Sequence, residues 1–190
     1  DGRINIFCTF AANFKNMLEK IIILDFGSQT TQLIGRRLRE LNVYCEIVPF
    51  NNIPAIDDSI KGVILSGSPF SVREENSPKI DLEKLIGARP ILAICYGAQY
   101  LAHNLGGEVT PSLAREYGRA TLSIKDISCP LFKDVPESFD VWMSHGDTIK
   151  DLPNGATIVA STSDITNAAY RIQESNCYAL QFHPEVYHSQ

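Results

Sequence analysis

In Pro90-Ile-Leu-Ala-Ile-Cys95-Tyr-Gly-Ala-Gln99, an apolar strand turns directly into a helix, which is the strongest indication of the fold in this sequence. Pro90–Ile94 is a short apolar run, typical of a parallel strand that is buried on both faces. Tyr96–Leu105 follows as a predicted helix, which ends at Gly106 and Gly107. Cys95 therefore lies at the bend, in the layout of a nucleophile elbow with sulfur in place of a serine oxygen.

Cys95 has two interpretations at this bend. As a nucleophile, it would benefit from the helix N-terminus, which stabilises the reactive thiolate, and Gly97 would let the backbone pass closely. As a structural residue, it is a core cysteine at the end of a strand. The segment alone favours neither interpretation.

The same alternation of strand and helix precedes this stretch. Predicted strands are Ile21–Phe26, Val43–Phe50 and Gly62–Leu65, and a short helix is predicted at Asp81–Ile86. Thr30–Leu41 predicts a longer helix capped by Ser28. Its apolar stripe consists of Leu33, Ile34, Leu38 and Leu41. This order predicts an α/β fold with an open, mostly parallel sheet and helices on both faces.

Beyond Gly107 the pattern changes to short strands separated by Gly, Pro, Asn and Asp. These strands are Tyr117–Ile124, Phe139–Ser144, Thr157–Ala160, Ala168–Ile172 and Tyr178–Phe182. Few residues between them favour helices. We therefore predict an antiparallel extension of the same sheet, which ends in the strand Tyr178–Phe182.

His183 and Glu185 follow the last predicted strand. Alternate residues of a strand point to the same face, so the two side chains can lie side by side. A carboxylate on one imidazole nitrogen leaves the other nitrogen free to take a proton from a thiol. A lone His-x-Glu pattern is a weak signal, but together with Cys95 it supplies a nucleophile, a base and an orienting group.

The loop Ser66-Gly67-Ser68-Pro69 follows the third predicted strand, at the sheet edge where sites form in open α/β folds. Acyl chemistry needs two N–H donors aimed at the developing oxyanion. We expect these donors to be the backbone N–H groups of Ser68 and Tyr96. Taken alone, the loop is better interpreted as an ordinary turn.

Composition excludes several other classes of function. The 190 residues carry a net charge of −5, which argues against nucleic acid or an anionic membrane as the main partner. No apolar run approaches the roughly 20 residues that cross a bilayer. Five cysteines at irregular spacing predict no disulfide framework and no metal site, and indicate a reduced, cytoplasmic protein.

These motifs together resemble the class I glutamine amidotransferases, which use a cysteine triad. Within that family, the chain is most similar to the amidotransferase domains of glutamine-hydrolysing GMP synthases. The segments that support the narrower match are Ile23–Arg37, Ser68–Pro78, Arg115–Ala120, Cys129–Pro136 and Val141–Asp147. The resemblance implies the flavodoxin-like three-layer fold of that family.

The resemblance also implies roles for individual residues. Cys95, His183 and Glu185 would form the catalytic triad, and Ser68 and Tyr96 would hold the oxyanion through their N–H groups. The substrate-binding positions would be Gly67, Gln99 and a predicted turn at Ser144, His145, Gly146 and Asp147. His145 could instead be a packing residue, and Asp147 could simply cap a turn.

The implied substrate is L-glutamine, and the implied partner is an ATP-pyrophosphatase domain or subunit that aminates XMP to GMP. ATP and Mg²⁺ would bind only to that partner, so no cofactor is expected in this domain, and a homodimer is compatible with the full-length protein. Alternatives are a catalytically weak binding or regulatory module, another class I amidotransferase, or a thiol peptidase of the same fold.

Two positions depart from the family pattern. Ser68 and Ala93 stand where the family usually has glycine, and a glycine-only conformation at Ser68 would be strained. We interpret residues 1–16 as a leader or an added extension. Residues 17–190 then form the glutaminase domain, either cut from a longer protein before the synthetase or, as a less favoured interpretation, a separate small subunit.

Overall fold

The computed structural model describes residues 19–186, apart from the side chains of residues 113–116. The interpretation of residues 1–16 thus lies outside the described residues. Two α-helices are described, α1 (Thr31–Glu40) and α2 (Tyr96–Asn104), with short 3-10 helices at Leu82–Lys84 and Pro130–Phe132. The strands are β1 (Lys20–Asp25), β2 (Cys45–Pro49), β3 (Ile60–Leu65), β4 (Ile91–Ile94), β5 (Glu108–Ile124), β6 (Ser138–Asp151), β7 (Ala156–Ser161), β8 (Ala169–Ile172) and β9 (Cys177–Leu180).

All nine described strands join one sheet in the order β2-β1-β3-β4-β9-β8-β7-β5-β6. Strands β2, β1, β3, β4 and β9 are parallel to their neighbours within this group. The pairings from β9 through β8 and β7 to β5 and β6 are antiparallel. This arrangement confirms the α/β fold with an antiparallel extension, and its parallel half has the flavodoxin-like strand order.

The two helices pack on opposite faces of the parallel half. Ile21 and Ile23 of β1 belong to the same apolar core as Ile34 of α1. Ile22 of β1 alternates to the other face, where it shares a second core with Leu101 of α2. Alternate residues of one buried strand therefore serve two cores, which explains the continuous apolar run in the sequence.

The beginning of α1 differs from the prediction. Thr30, and not Ser28, occupies the N-cap position, and it makes no side-chain cap. The Ser28 hydroxyl instead accepts a hydrogen bond from the Thr30 amide at 3.1 Å, within the turn before the helix. Leu33, predicted in the buried stripe, is 36% exposed, because the sheet covers only the face that carries Ile34 and Leu38.

The predicted helix at Asp81–Ile86 is only a 3-10 turn at Leu82–Lys84. Its buried contact comes from Leu82, while Glu83 and Lys84 remain exposed. Leu85, directly after this turn, is also buried, but a segment of this length is too short to be stable as an α-helix on its own.

The antiparallel extension contains strands longer than predicted. β5 and β6 have 17 and 14 residues, and they pair with each other along most of their length. The predicted turn at residues 144–147 is wrong, because these residues lie inside β6. In β6 the buried positions alternate through Met143, His145, Asp147 and Ile149. Polar residues at two inward positions and a glycine between them concealed the two-residue period.

Gly97 is required where α2 crosses β3. A methyl group at Gly97 would lie 2.7 Å from both Cβ and the carbonyl oxygen of Leu65. By contrast, a methyl group at Gly35 in α1 would meet the flexible end of Ile47 at 3.3 Å. The first contact involves backbone and cannot relax easily, whereas the second can.

We expect Gly97→Ala to lower the free energy of unfolding by about 1–3 kcal/mol, the usual cost of overpacking a core. Gly35→Ala is the matched control, and it should change that free energy by less than about 1 kcal/mol, since alanine also favours helices. Urea denaturation of both variants measures the difference. Equal stability of the two variants would contradict the close approach at Leu65.

Candidate active site

Cys95 lies in a sharp turn between β4 and α2. Its backbone has φ 51° and ψ −105°, in the left-handed region that non-glycine residues rarely adopt. The Cys95 amide donates a hydrogen bond to the Leu180 carbonyl of β9 at 2.7 Å. Its thiol faces the Ser144 carbonyl of β6, with 3.7 Å between sulfur and oxygen. The bend thus has the geometry of a nucleophile elbow.

Ala93, where glycine was expected, fits this elbow without strain. It is fully buried in β4, in register with Leu65 of β3 and Ala179 of β9. It has no positive φ, so an alanine side chain needs no special backbone conformation there.

His183 and Glu185 come together in a turn and not in a strand. β9 ends at Leu180, so the prediction that the two side chains share a strand face is wrong. The His183 amide donates to the Trp142 carbonyl of β6 at 3.0 Å, which pulls the chain out of the parallel pairing. His183 Nδ1 lies 2.7 Å from Glu185 Oε1, and both residues are buried.

The imidazole of His183 interacts with two groups that favour its protonated form. Burial by itself lowers the pKa of His183, but hydrogen bonds with the Cys95 sulfur and the Glu185 carboxylate outweigh burial and raise the pKa above 6.5. Since Nδ1 faces Glu185, Nε2 is the nitrogen that faces the sulfur. The arrangement therefore favours a protonated imidazole beside the Cys95 sulfur, which places an acid next to a potential nucleophile.

The loop after β3 passes close to this imidazole. A methyl group at Gly67 would lie 3.3 Å from His183 Cε1. The backbone of Ser68 has no positive φ, so the strain expected for a non-glycine residue there is absent. The Ser68 hydroxyl donates to the Phe26 carbonyl at 2.8 Å, which ties the loop to the end of β1.

The amide groups of Ser68 and Tyr96 make no hydrogen bond within residues 19–186. Tyr96 is the first residue of α2, where helix N–H groups have no partner inside the helix. Both donors are thus available to an anion, although their roles remain a proposal.

A cleft of about 370 Å³ opens beside Cys95. Its lining combines polar and aromatic side chains from the loop after β3 with residues of α2, β5 and β6. They are Pro69, Phe70, Ser71, Arg73, Glu74, Cys95, Gln99, Tyr117, His145, Gly146 and Asp147. Phe70 and Tyr117 are exposed large side chains at this cleft.

Asp147 links the floor of the cleft to the loop after β3. Its Oδ1 accepts a hydrogen bond from Arg73 Nη2 at 2.9 Å, and its Oδ2 accepts one from the Ser71 hydroxyl. The Asp147 side chain is only 9% exposed, whereas that of Arg73 is 41% exposed. A nearly buried carboxylate with two donors holds the loop residues 71–73 against β6.

Gln99 and His145 converge on the backbone of Asp147. Gln99 Nε2 donates to the Asp147 carbonyl at 3.0 Å, and His145 Nδ1 donates to the same oxygen at 2.7 Å. Burial lowers the pKa of His145, while the hydrogen bond to Asp147 opposes that effect. His145 is therefore a neutral imidazole that helps to form the cleft wall.

Ser144 and Gly146, the remaining predicted substrate-binding residues of β6, present backbone groups and not side chains at the site. Ser144 offers its carbonyl to the Cys95 sulfur, and Gly146 exposes its backbone to the cleft. Among the described residues, no group of three or more His, Cys, Asp or Glu side chains could hold a metal ion. Nor does any helix of residues 19–186 have the length and apolarity that a membrane crossing requires.

Sequence reasoning missed three side chains at the site. Ser71 and Arg73 lie in Ser68–Pro78, a segment to which the sequence assigned no role at the site. Their contacts with Asp147 span more than 70 positions. Thr30 Oγ1 donates to Glu185 Oε1 at 2.7 Å, across 155 positions. No local pattern marks contacts of this range, so only a comparison of many related sequences could have indicated them.

The family model for class I glutamine amidotransferases matches residues 22–190. The chain belongs to this family. A similar curated relative, the GMP synthase [glutamine-hydrolyzing] of Phocaeicola vulgatus, is 60% identical over 92% of this chain but over only 34% of its own length. The chain therefore spans about a third of the length of the curated relatives that it matches.

Solved structures of this family have the same fold. A candidate GMP synthase subunit from Thermoplasma acidophilum has a TM-score of 0.77 and 35% identity, over 93% of this chain and 89% of that one. A glutamine amidotransferase from Thermotoga maritima has a TM-score of 0.74 and 25% identity, over 90% of this chain and 78% of that one.

We expect Glu185→Gln to slow the alkylation of Cys95 by iodoacetamide at pH 7 by about tenfold. The amide removes the charge that keeps the His183 pKa raised, so less imidazolium is present to stabilise the thiolate. Mass spectrometry of the Cys95 peptide measures the rate against pH. Exposed Glu174→Gln is the matched control, and an unchanged rate in Glu185→Gln would contradict the ion pair.

We expect Asp147→Asn to increase amide hydrogen exchange in residues 70–77 by about tenfold, because Arg73 and Ser71 lose a charged acceptor. Glu74→Gln removes a carboxylate from the same cleft without touching this contact, and it should leave exchange unchanged. Equal exchange in both variants would show that Asp147 does not hold the loop.

Proposed function

We propose that this chain is the glutaminase part of a glutamine-hydrolysing GMP synthase. The observation that carries the proposal is the placement of the Cys95 thiol in an elbow beside His183, which is hydrogen-bonded to Glu185 at 2.7 Å. A nucleophile, an acid–base group and an orienting carboxylate are what thioester chemistry on an amide requires. The family membership selects glutamine as the amide.

In the proposed first step, Cys95 Sγ attacks the side-chain amide carbon of glutamine and forms a C–S bond. The carbonyl electron pair moves onto oxygen, and the N–H groups of Ser68 and Tyr96 bind this oxyanion. When the oxyanion collapses, the C–N bond breaks and His183 Nε2 gives its proton to the departing nitrogen. The products are ammonia and a glutamyl thioester.

In the second step, neutral His183 takes a proton from water, whose oxygen attacks the thioester carbon. Breakage of the C–S bond releases glutamate and returns Cys95 to the thiolate beside imidazolium. Glu185 keeps Nδ1 protonated throughout, because its Oε1 accepts that hydrogen bond. Nε2 is thus the nitrogen that exchanges protons in both steps.

The cleft supplies the proposed contacts for the rest of glutamine. Asp147 and Arg73 present one carboxylate and one guanidinium, which complement an α-ammonium and an α-carboxylate. Gln99, His145, Gly146 and the Ser144 carbonyl form the wall between this pair and Cys95. Gly67 beside His183 allows the substrate amide to approach the imidazole.

Identities of 60% and 58% to GMP synthases of two organisms support the choice of this member of the family. We propose that a synthetase domain or subunit receives the ammonia and aminates XMP, with ATP and Mg²⁺ bound to that partner. The catalytically weak alternative rested on strain at Ser68, and Ser68 has no positive φ, so no observation favours it. A cytoplasmic location and a homodimer remain predictions.

We expect Cys95→Ala, tested together with the proposed synthetase domain or subunit, to abolish glutamine-dependent formation of GMP from XMP and ATP. Ammonium chloride should restore GMP formation to near the wild-type ammonia-dependent rate, since the substitution leaves the synthetase intact. Cys45→Ala, at a buried cysteine of β2, is the matched control and should retain both rates.

Coupled measurement of glutamate release and GMP formation separates the outcomes. Undiminished glutamate release by Cys95→Ala would reject the thioester mechanism. If glutamate is released but neither glutamine nor ammonium supports GMP formation, the assignment to GMP synthase is rejected and the glutaminase activity is retained.

A further inference from the structure

Thr30 contacts the proposed triad from the turn before α1. Its Oγ1 lies 2.7 Å from Glu185 Oε1, the same oxygen that lies 2.7 Å from His183 Nδ1. An ionised carboxylate only accepts hydrogen bonds, so the Thr30 hydroxyl is the donor. The proposed thioester mechanism makes no use of this contact.

Ser28 holds the Thr30 hydroxyl in this direction. The Ser28 and Thr30 hydroxyl oxygens are 2.9 Å apart, and the Thr30 amide donates to Ser28 Oγ at 3.1 Å. Because Thr30 donates its one hydroxyl proton to Glu185, the Ser28 hydroxyl must donate to Thr30. The result is a directed chain of hydrogen bonds that ends on Glu185, in which each bond polarises the next.

Glu185 depends on these linked hydrogen bonds because its side chain has few other contacts. It is 1% exposed, and its Oε2 is buried without a hydrogen-bond partner among the described residues. It lies in the turn beyond β9, where no strand pairing restrains its backbone. Among the described residues, that backbone is bonded only by Arg37 Nε of α1, which donates to the Glu185 carbonyl at 3.4 Å and leaves the carboxylate unheld. Oε1 therefore carries both side-chain hydrogen bonds that orient the carboxylate.

We propose that Thr30 is a positioning residue, whose hydroxyl holds the Glu185 carboxylate against His183 Nδ1. This inference rests on the proposed glutaminase function and adds a fourth side chain to its machinery. A carboxylate that is not held would lie away from Nδ1 for part of the time. The imidazolium would then lose part of the stabilisation that this carboxylate provides.

The test is Thr30→Val, tested together with the proposed synthetase domain or subunit. Valine is chosen because it matches the shape of threonine and lacks the hydroxyl. We expect kcat for glutamate release to fall about tenfold, the effect of losing one hydrogen bond to a charged group. KM for glutamine should stay within about twofold, since Thr30 does not line the cleft. The alkaline limb of the kcat profile should move to lower pH, because imidazolium is lost earlier.

Two further variants separate positioning from a merely structural role. Thr30→Ser keeps the hydroxyl and should restore most of kcat and the wild-type pH profile. Thr31→Val removes the buried hydroxyl of the next residue, whose Oγ1 donates to Asp25 Oδ1 at 2.8 Å and lies 3.2 Å from the Ser28 carbonyl, but does not contact Glu185. It should lower the unfolding temperature but leave the pH profile unchanged.

The outcomes distinguish this inference from the proposed function. If the wild-type protein releases no glutamate, the proposed function fails. In that case the pH dependence of Cys95 alkylation by iodoacetamide still tests Thr30, because the rate follows the thiolate that the imidazolium stabilises, and its rise should move to higher pH in Thr30→Val. An alkylation profile that does not move, or an alkaline limb of kcat that stays in place or moves to higher pH in Thr30→Val, overturns the inference, as does failure of Thr30→Ser to restore kcat.

Discussion

The pairing of β4 with β9 at the centre of the sheet is the constraint on which the site depends. Ile94 and Leu180 end these parallel strands in register, and the Cys95 amide donates to the Leu180 carbonyl at 2.7 Å. The two chain segments therefore leave the sheet side by side. One turns into α2 and presents Cys95, and the other turns toward β6 and presents His183. Without this adjacency, Cys95 and His183, the proposed nucleophile and acid–base group, would lie at separate strand ends.

Burial sets the chemistry of the groups that meet there. A buried imidazole loses its proton easily, yet His183 has a raised pKa because hydrogen bonds with the Cys95 sulfur and the Glu185 carboxylate outweigh the effect of burial. Glu185 is nearly inaccessible and is held from the β1 side by Thr30. The cost of burying these charges is offset only while all of them remain in place. The site is consequently a cooperative unit, in which each group maintains the charge state of the next.

Part of this site could be predicted from local sequence because the relevant signals are local. A strand that runs into a helix at Cys95 predicts an elbow, whereas the close approach of Gly97 to Leu65 of β3 is visible only in the structure. The segment containing His145 and Asp147 was misinterpreted as a turn, since two polar residues occupy inward positions of a strand. The pairing of His183 with Glu185 was expected for the wrong reason, because a turn and not a strand brings them together.

The type of fold, the order of its elements and the candidate residues for the chemistry could be inferred from local features of the sequence. These depend on periodicity, on glycine and proline, and on side-chain types within a few positions of one another. The contacts of Asp147 with Ser71 and Arg73, and of Thr30 with Glu185 across 155 positions, became visible only in the folded molecule. Such contacts arise where the carboxyl ends of β1, β3, β4 and β9 converge with β6. Strand order and loop path set that convergence, and neither is encoded in a local pattern.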